Sequence, residues 1–140
     1  MREEISARCA AIEECYEFML AYAGQGLNGD EGGQSSAQVR EYLNHAVEAL
    51  AGLAEAYATA VKQENLQPAE PYHAFLTVLE RDARDSLAAI QLVLAQATIS
   101  SQLIDNLNAS IHLRALLTDL FLVDEILKPQ RVQPKPVTTS

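Results

Sequence analysis

The chain has 140 residues, of which 49% are hydrophobic and 21% are charged, and its net charge is −9. This composition predicts one folded domain, because a disordered chain would hold less apolar material. Positions 1–127 contain all 19 acidic residues and seven basic ones, which gives this part of the chain a charge of −12. Such a negative surface argues against a nucleic-acid partner.

Glycine and proline are concentrated in three short stretches, and the sequence between them favours long helices. Five of the six glycines lie within positions 24–33, two of the five prolines lie near position 70, and the other three follow position 128. Because these residues end or interrupt helices, the pattern divides the chain into four helical segments. The predicted helices span about residues 3–23, 36–64, 71–96 and 101–127.

The first predicted helix has a wide apolar face. Its apolar residues recur at alternating intervals of four and three, which is the helical period. They are Ile5, Cys9, Ile12, Tyr16, Met19 and Ala23. A face this wide is typical of a helix that contacts two neighbours in a bundle. Arg8 falls on the same face, and we expect its stem to lie on the core while its charge reaches water.

The second predicted helix begins at a cap formed by Ser35 and Ser36 and keeps a strict heptad pattern for three repeats. The apolar positions are Val39, Leu43, Ala46, Leu50, Leu53, Tyr57 and Ala60. A period near 3.5 residues indicates packing at about 20°, as in a four-helix bundle. Gly52 is the one glycine within this helix, and close approach of another helix or of a bound group would explain it.

The third and fourth predicted helices have no glycine or proline between them. One alternative is therefore a single helix of more than fifty residues. We favour a tight turn at 98–101, because Ser100 offers an N-cap. Ile99 and Ile104 also fit a hydrophobic staple around that cap.

The second half of the fourth helix is apolar on every side. We do not expect one monomeric core to bury such a helix, so we predict a homodimer or larger oligomer that covers it. The predicted interface consists of Leu113, Leu116, Leu120, Phe121, Val123 and Leu127. The whole pattern predicts an all-α, antiparallel four-helix bundle that is dimeric.

The last thirteen residues, 128–140, hold three prolines, three basic residues and no acidic residue. This composition predicts an extended, mobile and disordered tail. Two roles are open for it. It is either a solubilising end, or a basic polyproline-like peptide that a partner binds.

Three histidines are the candidate metal ligands: His45, His73 and His112. A di-iron bundle carries Glu-x-x-His on two helices, and this chain has one such spacing, from Glu70 to His73. His45 falls on the polar side of its helix. The sequence therefore predicts no bound metal and no cofactor.

Residues 24–29 match the dinucleotide-binding pattern G-x-G-x-x-G letter for letter. That pattern binds phosphate where it joins a strand to a helix. Here it follows a helix and precedes two acidic residues, Asp30 and Glu31, that would repel an anion. We interpret it as an interhelical linker.

Cys9 and Cys15 lie on different sides of one predicted helix, so they cannot pair with each other there. No apolar leader follows Met1, and we expect reduced thiols in a cytoplasmic protein. The uncharged stretch 86–104 contains several polar residues, which argues against a membrane span.

Four tyrosines fall on or beside the buried faces of the first two helices: Tyr16, Tyr22, Tyr42 and Tyr57. Each buried hydroxyl needs a hydrogen-bond partner. Core packing would supply a backbone carbonyl, whereas a small aromatic or acyl ligand between the helices is the alternative.

The candidate residues form no arrangement typical of nucleophilic or general acid–base catalysis. The sequence therefore favours a non-enzymatic protein that acts through protein–protein interaction, as an adaptor, assembly factor or chaperone-like subunit. The alternative is a helical bundle, with or without enzymatic activity, that binds a small ligand or metal between its helices.

Overall fold

The computed structural model describes residues 2–28 and 33–127, with side chains from Glu3 to Asn28 and from Ser36 to Leu127, and its regular structure is entirely helical. The helices are α1 (Arg2–Ala23), α2 (Gly33–Ala51), α3 (Leu53–Gln63), α4 (Ala69–Leu94), α5 (Ser101–Ala109) and α6 (Ile111–Leu127). The all-α prediction is confirmed. The predicted tail, 128–140, lies outside the described residues, as do positions 29–32 of the glycine-rich linker.

The second predicted helix is divided into two helices, because the helical conformation is interrupted at Gly52. The first of them, α2, begins at Gly33, ahead of the predicted serine cap. The break is filled by the Arg8 guanidinium, whose Nη1 lies 3.0 Å from the Glu48 carbonyl oxygen and 3.1 Å from that of Ala49. These two carbonyls stand at the end of α2, where a helix has no further backbone N–H groups to satisfy them.

The Arg8 side chain is 27% exposed, and it also makes contacts that its position did not predict. Its guanidinium satisfies the end of α2 and also forms an ion pair with Glu4, at 3.0 Å between Nη2 and Oε2. A Cβ atom at Gly52 would lie 2.7 Å from the Arg8 guanidinium carbon, which is too close for two carbon atoms. The glycine is explained by the close approach of a side chain from another helix.

The fourth predicted helix is also two helices, because Ser110 leaves the helical conformation with a ψ of 144°. Its Oγ accepts a hydrogen bond from Leu113 N at 3.2 Å, which makes Ser110 the N-cap of α6. Serine competes with the helical backbone for such bonds, and here it does so between the polar α5 and the leucine-rich α6.

The third and fourth segments are separate helices, and the connection between them spans 95–100 rather than the predicted tight turn at 98–101. The chain leaves α4 at Leu94, and the Ser100 Oγ accepts a hydrogen bond from Leu103 N at 3.0 Å as α5 begins. Ile99 and Ile104, the two residues of the predicted staple, are both fully buried.

A second arginine satisfies the end of α4. Arg40, on α2, donates from Nη1 to the Leu94 carbonyl at 3.0 Å and from Nη2 to the Gln96 carbonyl at 2.7 Å. The carbonyl groups at the end of α2 and at the end of α4 are therefore each satisfied by a guanidinium from another helix. These charged hydrogen bonds join distant parts of the chain.

The helices surround one continuous hydrophobic core. Helix α1 contacts α2, α3, α5 and α6, and α4 contacts the same four helices, whereas α1 and α4 do not touch each other within the described residues. The largest fully buried side chains include Tyr22, Met19, Leu43, Leu53, Leu79, Ile90, Leu116 and Leu120. In the part of the chain described here, no helix has the length and apolarity to cross a membrane.

Candidate functional site

An apolar groove lies where α3, the start of α4 and the end of α6 meet. It has a volume of about 390 Å³. Its aromatic wall consists of Tyr57, Tyr72 and Phe75, and its aliphatic wall consists of Leu122, Val123, Ile126 and Leu127. A concave apolar site of this size is typical of binding sites.

The aromatic wall is fixed by contacts within the chain. The Tyr57 hydroxyl donates a hydrogen bond to the Tyr72 carbonyl oxygen at 2.9 Å. The rings of Tyr57 and Phe75 meet edge to face, with centroids 6.1 Å apart. Burial raises the pKa of Tyr57 to about 12, so this hydroxyl keeps its proton at neutral pH. A ligand would therefore meet a preformed surface.

Two prolines complete the groove beside the aromatic wall. Pro68 is the N-cap residue of α4, with an extended backbone, and Pro71 lies in the first turn of that helix. Proline is suited to this turn because its missing N–H would have had no helical partner. The local sequence thus places rigid apolar rings at the entrance of α4.

The predicted interface on α6 differs from the surface of α6 that is exposed in the structure. Five of the six predicted residues are buried inside the single chain, where α1, α4 and α5 cover α6. They are Leu113, Leu116, Leu120, Val123 and Leu127. The sixth, Phe121, is 60% exposed, and Leu122 and Ile126 are about half exposed. The part of α6 that a partner can reach is therefore Phe121 together with the groove residues Leu122 and Ile126.

The helical segments around the groove are acidic. Residues 63–80 and 115–127, which contain the whole lining except Tyr57, have no lysine or arginine. They do contain the acidic residues Glu64, Glu70, Glu80, Asp124 and Glu125, in addition to Asp119, which is buried. The segments that form the groove thus combine apolar lining residues with an excess of acidic residues.

Comparisons of the chain with models of protein families, with curated proteins and with solved structures gave no match. The chemistry of the groove is therefore interpreted from its own residues.

The four candidate tyrosines are not brought together. Tyr22 is fully buried and donates to the Ile99 carbonyl at 2.6 Å, and Tyr42 stacks on Phe18 with centroids 4.4 Å apart. Tyr16 is half-buried on α1. Among the four, Tyr57 alone lines the groove. The buried hydroxyls of Tyr22 and Tyr57 are thus satisfied by backbone carbonyls rather than by a shared ligand site.

Tyr72 and Phe75 were not among the residues predicted to form a site. Both lie in the first two turns of α4, and Tyr72, Phe75 and Leu79 follow the helical spacing of three and four residues. That spacing and the nearby pair of prolines were the available signals for an apolar surface at this helix start.

The candidate histidines are on separate helices and all three side chains are exposed. His45 lies on α2, His73 near the start of α4 and His112 near the start of α6. Over the described ranges, no three His, Cys, Asp or Glu side chains are grouped as metal ligands would be.

The structure brings together two carboxyl groups that sequence analysis did not pair. Asp119, on α6, is 5% exposed, and Asp82 of α4 is the acidic group that acts on it. Burial raises the pKa of Asp119 to about 8, and the neighbouring Asp82 adds to that rise. A neighbouring like charge and burial both disfavour ionisation, so Asp119 keeps its proton to a higher pH than an exposed carboxyl group does. The presence of an acidic residue within the leucine-rich α6 was the available sequence signal for this buried carboxyl group.

The two cysteines are free and buried. Burial raises the pKa of each thiol to about 12, and in Cys9 the charges of Asp124 and Glu13 contribute. A thiol of this kind stays protonated at neutral pH and is a poor nucleophile. The cysteines, the three histidines and the Asp119 carboxyl group all lie outside the groove lining. The groove itself is therefore suited to binding an apolar or aromatic group.

Proposed function

We propose that this chain is a non-enzymatic helical protein that acts by binding another protein, as an adaptor, an assembly factor or a chaperone-like subunit. The observation that carries the proposal is the open apolar groove between α3, α4 and α6, with its fixed aromatic wall. Proteins commonly recognise segments of their partners by burying a few apolar anchors in such a groove.

The proposed architecture is an antiparallel four-helix bundle in which α2 with α3, and α5 with α6, form two interrupted rods. The contact pattern supports it. The α2–α3 rod and the α5–α6 rod each pack against α1 and α4, and over the described residues the two rods do not contact each other. The order of contacts between α4 and α6 also supports it. Ser86 donates to the His112 carbonyl at 3.0 Å, whereas Phe75, earlier on α4, shares the groove with Ile126, later on α6.

The proposal includes a homodimer in which two copies meet at the exposed side of α6 that carries Phe121, called the Phe121 face below. Phe121 is not part of the groove lining, so a second copy and a partner protein need not compete for the same surface. A cytoplasmic location is also proposed, since both cysteines are free and buried.

The test of partner binding uses two matched variants of one helix. Ile126→Glu introduces a charge into the groove wall at a half-exposed position, and Ile111→Glu makes the same change at the other end of α6, where the side chain is 74% exposed. The tagged full-length chain is used to capture partners from its host, and bound protein is quantified by mass spectrometry. We expect one partner to be retained by the wild type and by Ile111→Glu and to fall about tenfold or more with Ile126→Glu, as expected for a charge placed in an apolar contact.

Two results would oppose the proposal. One is the absence of any partner at wild-type sequence, and the other is equal capture by the two variants. Circular dichroism of both variants checks that each remains helical.

A second candidate function is favoured by the size of the groove. A volume of about 390 Å³ suits a small apolar or aromatic ligand as well as a peptide anchor. Native mass spectrometry of gently purified protein separates the two: a stoichiometric small mass, lost with Ile126→Glu, supports the ligand, whereas a co-purifying protein supports the interaction.

A further inference from the structure

The described chain ends at the groove itself. Leu127 is both the last residue of α6 and part of the aliphatic wall. Whatever follows Leu127 must therefore begin beside the groove. We propose that the occupant of the groove is the chain's own segment 128–140, which binds in cis as a proline-rich basic peptide and competes with the partner. This inference rests on the proposed function, because it assigns an internal competitor to the same groove.

Charge complementarity supports this occupant. The segment contains Lys128, Arg131 and Lys135 and no acidic residue. In the sequence, Glu70 is next to the lining residue Pro71 and Asp124 is next to the lining residue Val123, while residues 63–80 and 115–127 hold no lysine or arginine. A second copy of the acidic helical body would be repelled from this surface, whereas a basic segment would be attracted to it.

The lining also matches the segment's apolar residues. Proline-rich peptides bind in grooves walled by aromatic rings, because the rigid peptide loses little conformational entropy. Here the wall is Tyr57, Tyr72 and Phe75, and the segment offers Pro134, Pro136 and two valines. Basic residues flank these apolar positions, so one peptide can place apolar groups in the groove and charges at its acidic edge.

The length of the segment is sufficient for binding in cis. Thirteen residues reach about 43 Å when extended, at roughly 3.3 Å per residue. Attachment at Leu127 gives the segment an effective concentration in the millimolar range, so even weak intrinsic binding keeps the groove occupied. A partner must then bind tightly enough to displace the segment, which makes the groove selective for strong or locally concentrated partners.

The experiment measures how fast trypsin cuts the segment in the full-length protein. Trypsin does not cut efficiently before proline, and both Lys128 and Lys135 precede one, so Arg131 is the one efficient site in the segment. Release of residues 132–140 is followed by mass spectrometry. The synthetic peptide 128–140, which has no groove to bind in cis, gives the rate for a free segment.

We expect the wild type and Ile111→Glu to be cut about tenfold more slowly than the free peptide, which corresponds to about 1.4 kcal/mol of protection. Ile126→Glu should approach the rate of the free peptide. The double variant Lys128→Glu, Lys135→Glu keeps the cleavage site and leaves the helices untouched, and it should also lose protection. It serves as the second test if Ile126→Glu is less helical than the wild type.

Cleavage of the wild type at the free-peptide rate would overturn the inference. So would protection that increases with protein concentration, since that would mean exchange of segments between copies rather than binding in cis. The proposed function is judged separately: if the segment is cut freely while Ile126→Glu still loses its partner, the groove binds a partner without an internal competitor.

Discussion

Asp119 places a carboxyl group inside the core, opposite Asp82 of the neighbouring helix. Burial and the Asp82 charge raise the pKa of Asp119 to about 8, while the unfolded chain releases this proton near pH 4. Between about pH 4 and about pH 8 the folded state therefore binds more protons than the unfolded state. The contribution of this group to the free energy of unfolding is full below pH 4 and is lost as the pH rises through about 8.

We predict that Asp119→Asn removes most of this pH dependence. The amide keeps the size of the carboxyl group and can donate to Asp82, but it need not hold a proton or bury a charge. The free energy of unfolding from urea titrations should fall less between about pH 4 and about pH 8 than in the wild type, and at pH 8 it should be higher by about 1 kcal/mol or more. Asp105→Asn, at an exposed position of α5, is the control and should leave the slope unchanged. An Asp119→Asn slope equal to that of the wild type would contradict the assignment.

Helix breaks in this fold depend on contacts between elements. At Gly52, the end of α2 is satisfied by Arg8 of α1, and a Cβ atom would displace the guanidinium from the Glu48 and Ala49 carbonyls. Alanine favours a helix over glycine by about 1 kcal/mol, whereas hydrogen bonds to a charged group contribute about 1.5–3 kcal/mol. The loss of the arginine contacts should therefore exceed the gain in helix propensity.

We predict that Gly52→Ala destabilises the protein by about 1 kcal/mol and that its effect changes sign in an Arg8→Ala background. Without the guanidinium, the alanine has room and its higher helix propensity is the remaining effect. Denaturant titrations of the four proteins in this double-mutant cycle measure the coupling. Arg114→Ala, an exposed arginine on α6, is the control background, in which Gly52→Ala should behave as it does in the wild type. Additive effects of Gly52→Ala and Arg8→Ala would show that the two residues are not coupled.

The helical fold could be predicted because its signals are local. Apolar residues at intervals of three and four define the buried faces, and Ser100 with Ile99 and Ile104 marks the turn before α5. The break at Gly52 could not be predicted in the same way. It depends on Arg8, which is 44 positions away in the sequence, and heptad spacing continues through the break.

The groove could be predicted only in part. The heptad placed Tyr57 on a buried face, but the spacing of Tyr72 and Phe75 along α4 does not show that they meet α6, which they do only in the folded chain. The all-round apolar composition of α6 suggested an exposed interface, because the sequence does not show how many neighbours cover a helix. Packing against α1, α4 and α5 buries most of that surface and leaves Phe121, Leu122 and Ile126 accessible.

At the scale of the whole molecule, apolar attraction and charge repulsion act in opposite directions. The charge of −12 within positions 1–127 makes two copies repel each other, while the exposed Phe121 face favours their association. Salt reduces the range of the repulsion, since the Debye length falls from about 10 Å at 0.1 M to about 3 Å at 1 M. It equally weakens the attraction between the acidic groove and the basic segment. Salt should therefore act in opposite directions on dimer formation and on occupancy of the groove.

We predict that the homodimer strengthens by about tenfold as sodium chloride rises from about 0.05 M to about 0.5 M, because screening removes repulsion on the order of 1 kcal/mol. Sedimentation equilibrium measures the association constant at micromolar protein concentration, where the monomer has a mass of 15.3 kDa. Phe121→Glu should be a monomer throughout this range, since it adds a charge to the apolar contact. Ile111→Glu adds the same charge at the other end of α6 and should still form the dimer. A wild-type monomer at every salt concentration would mean that the Phe121 face does not join two copies.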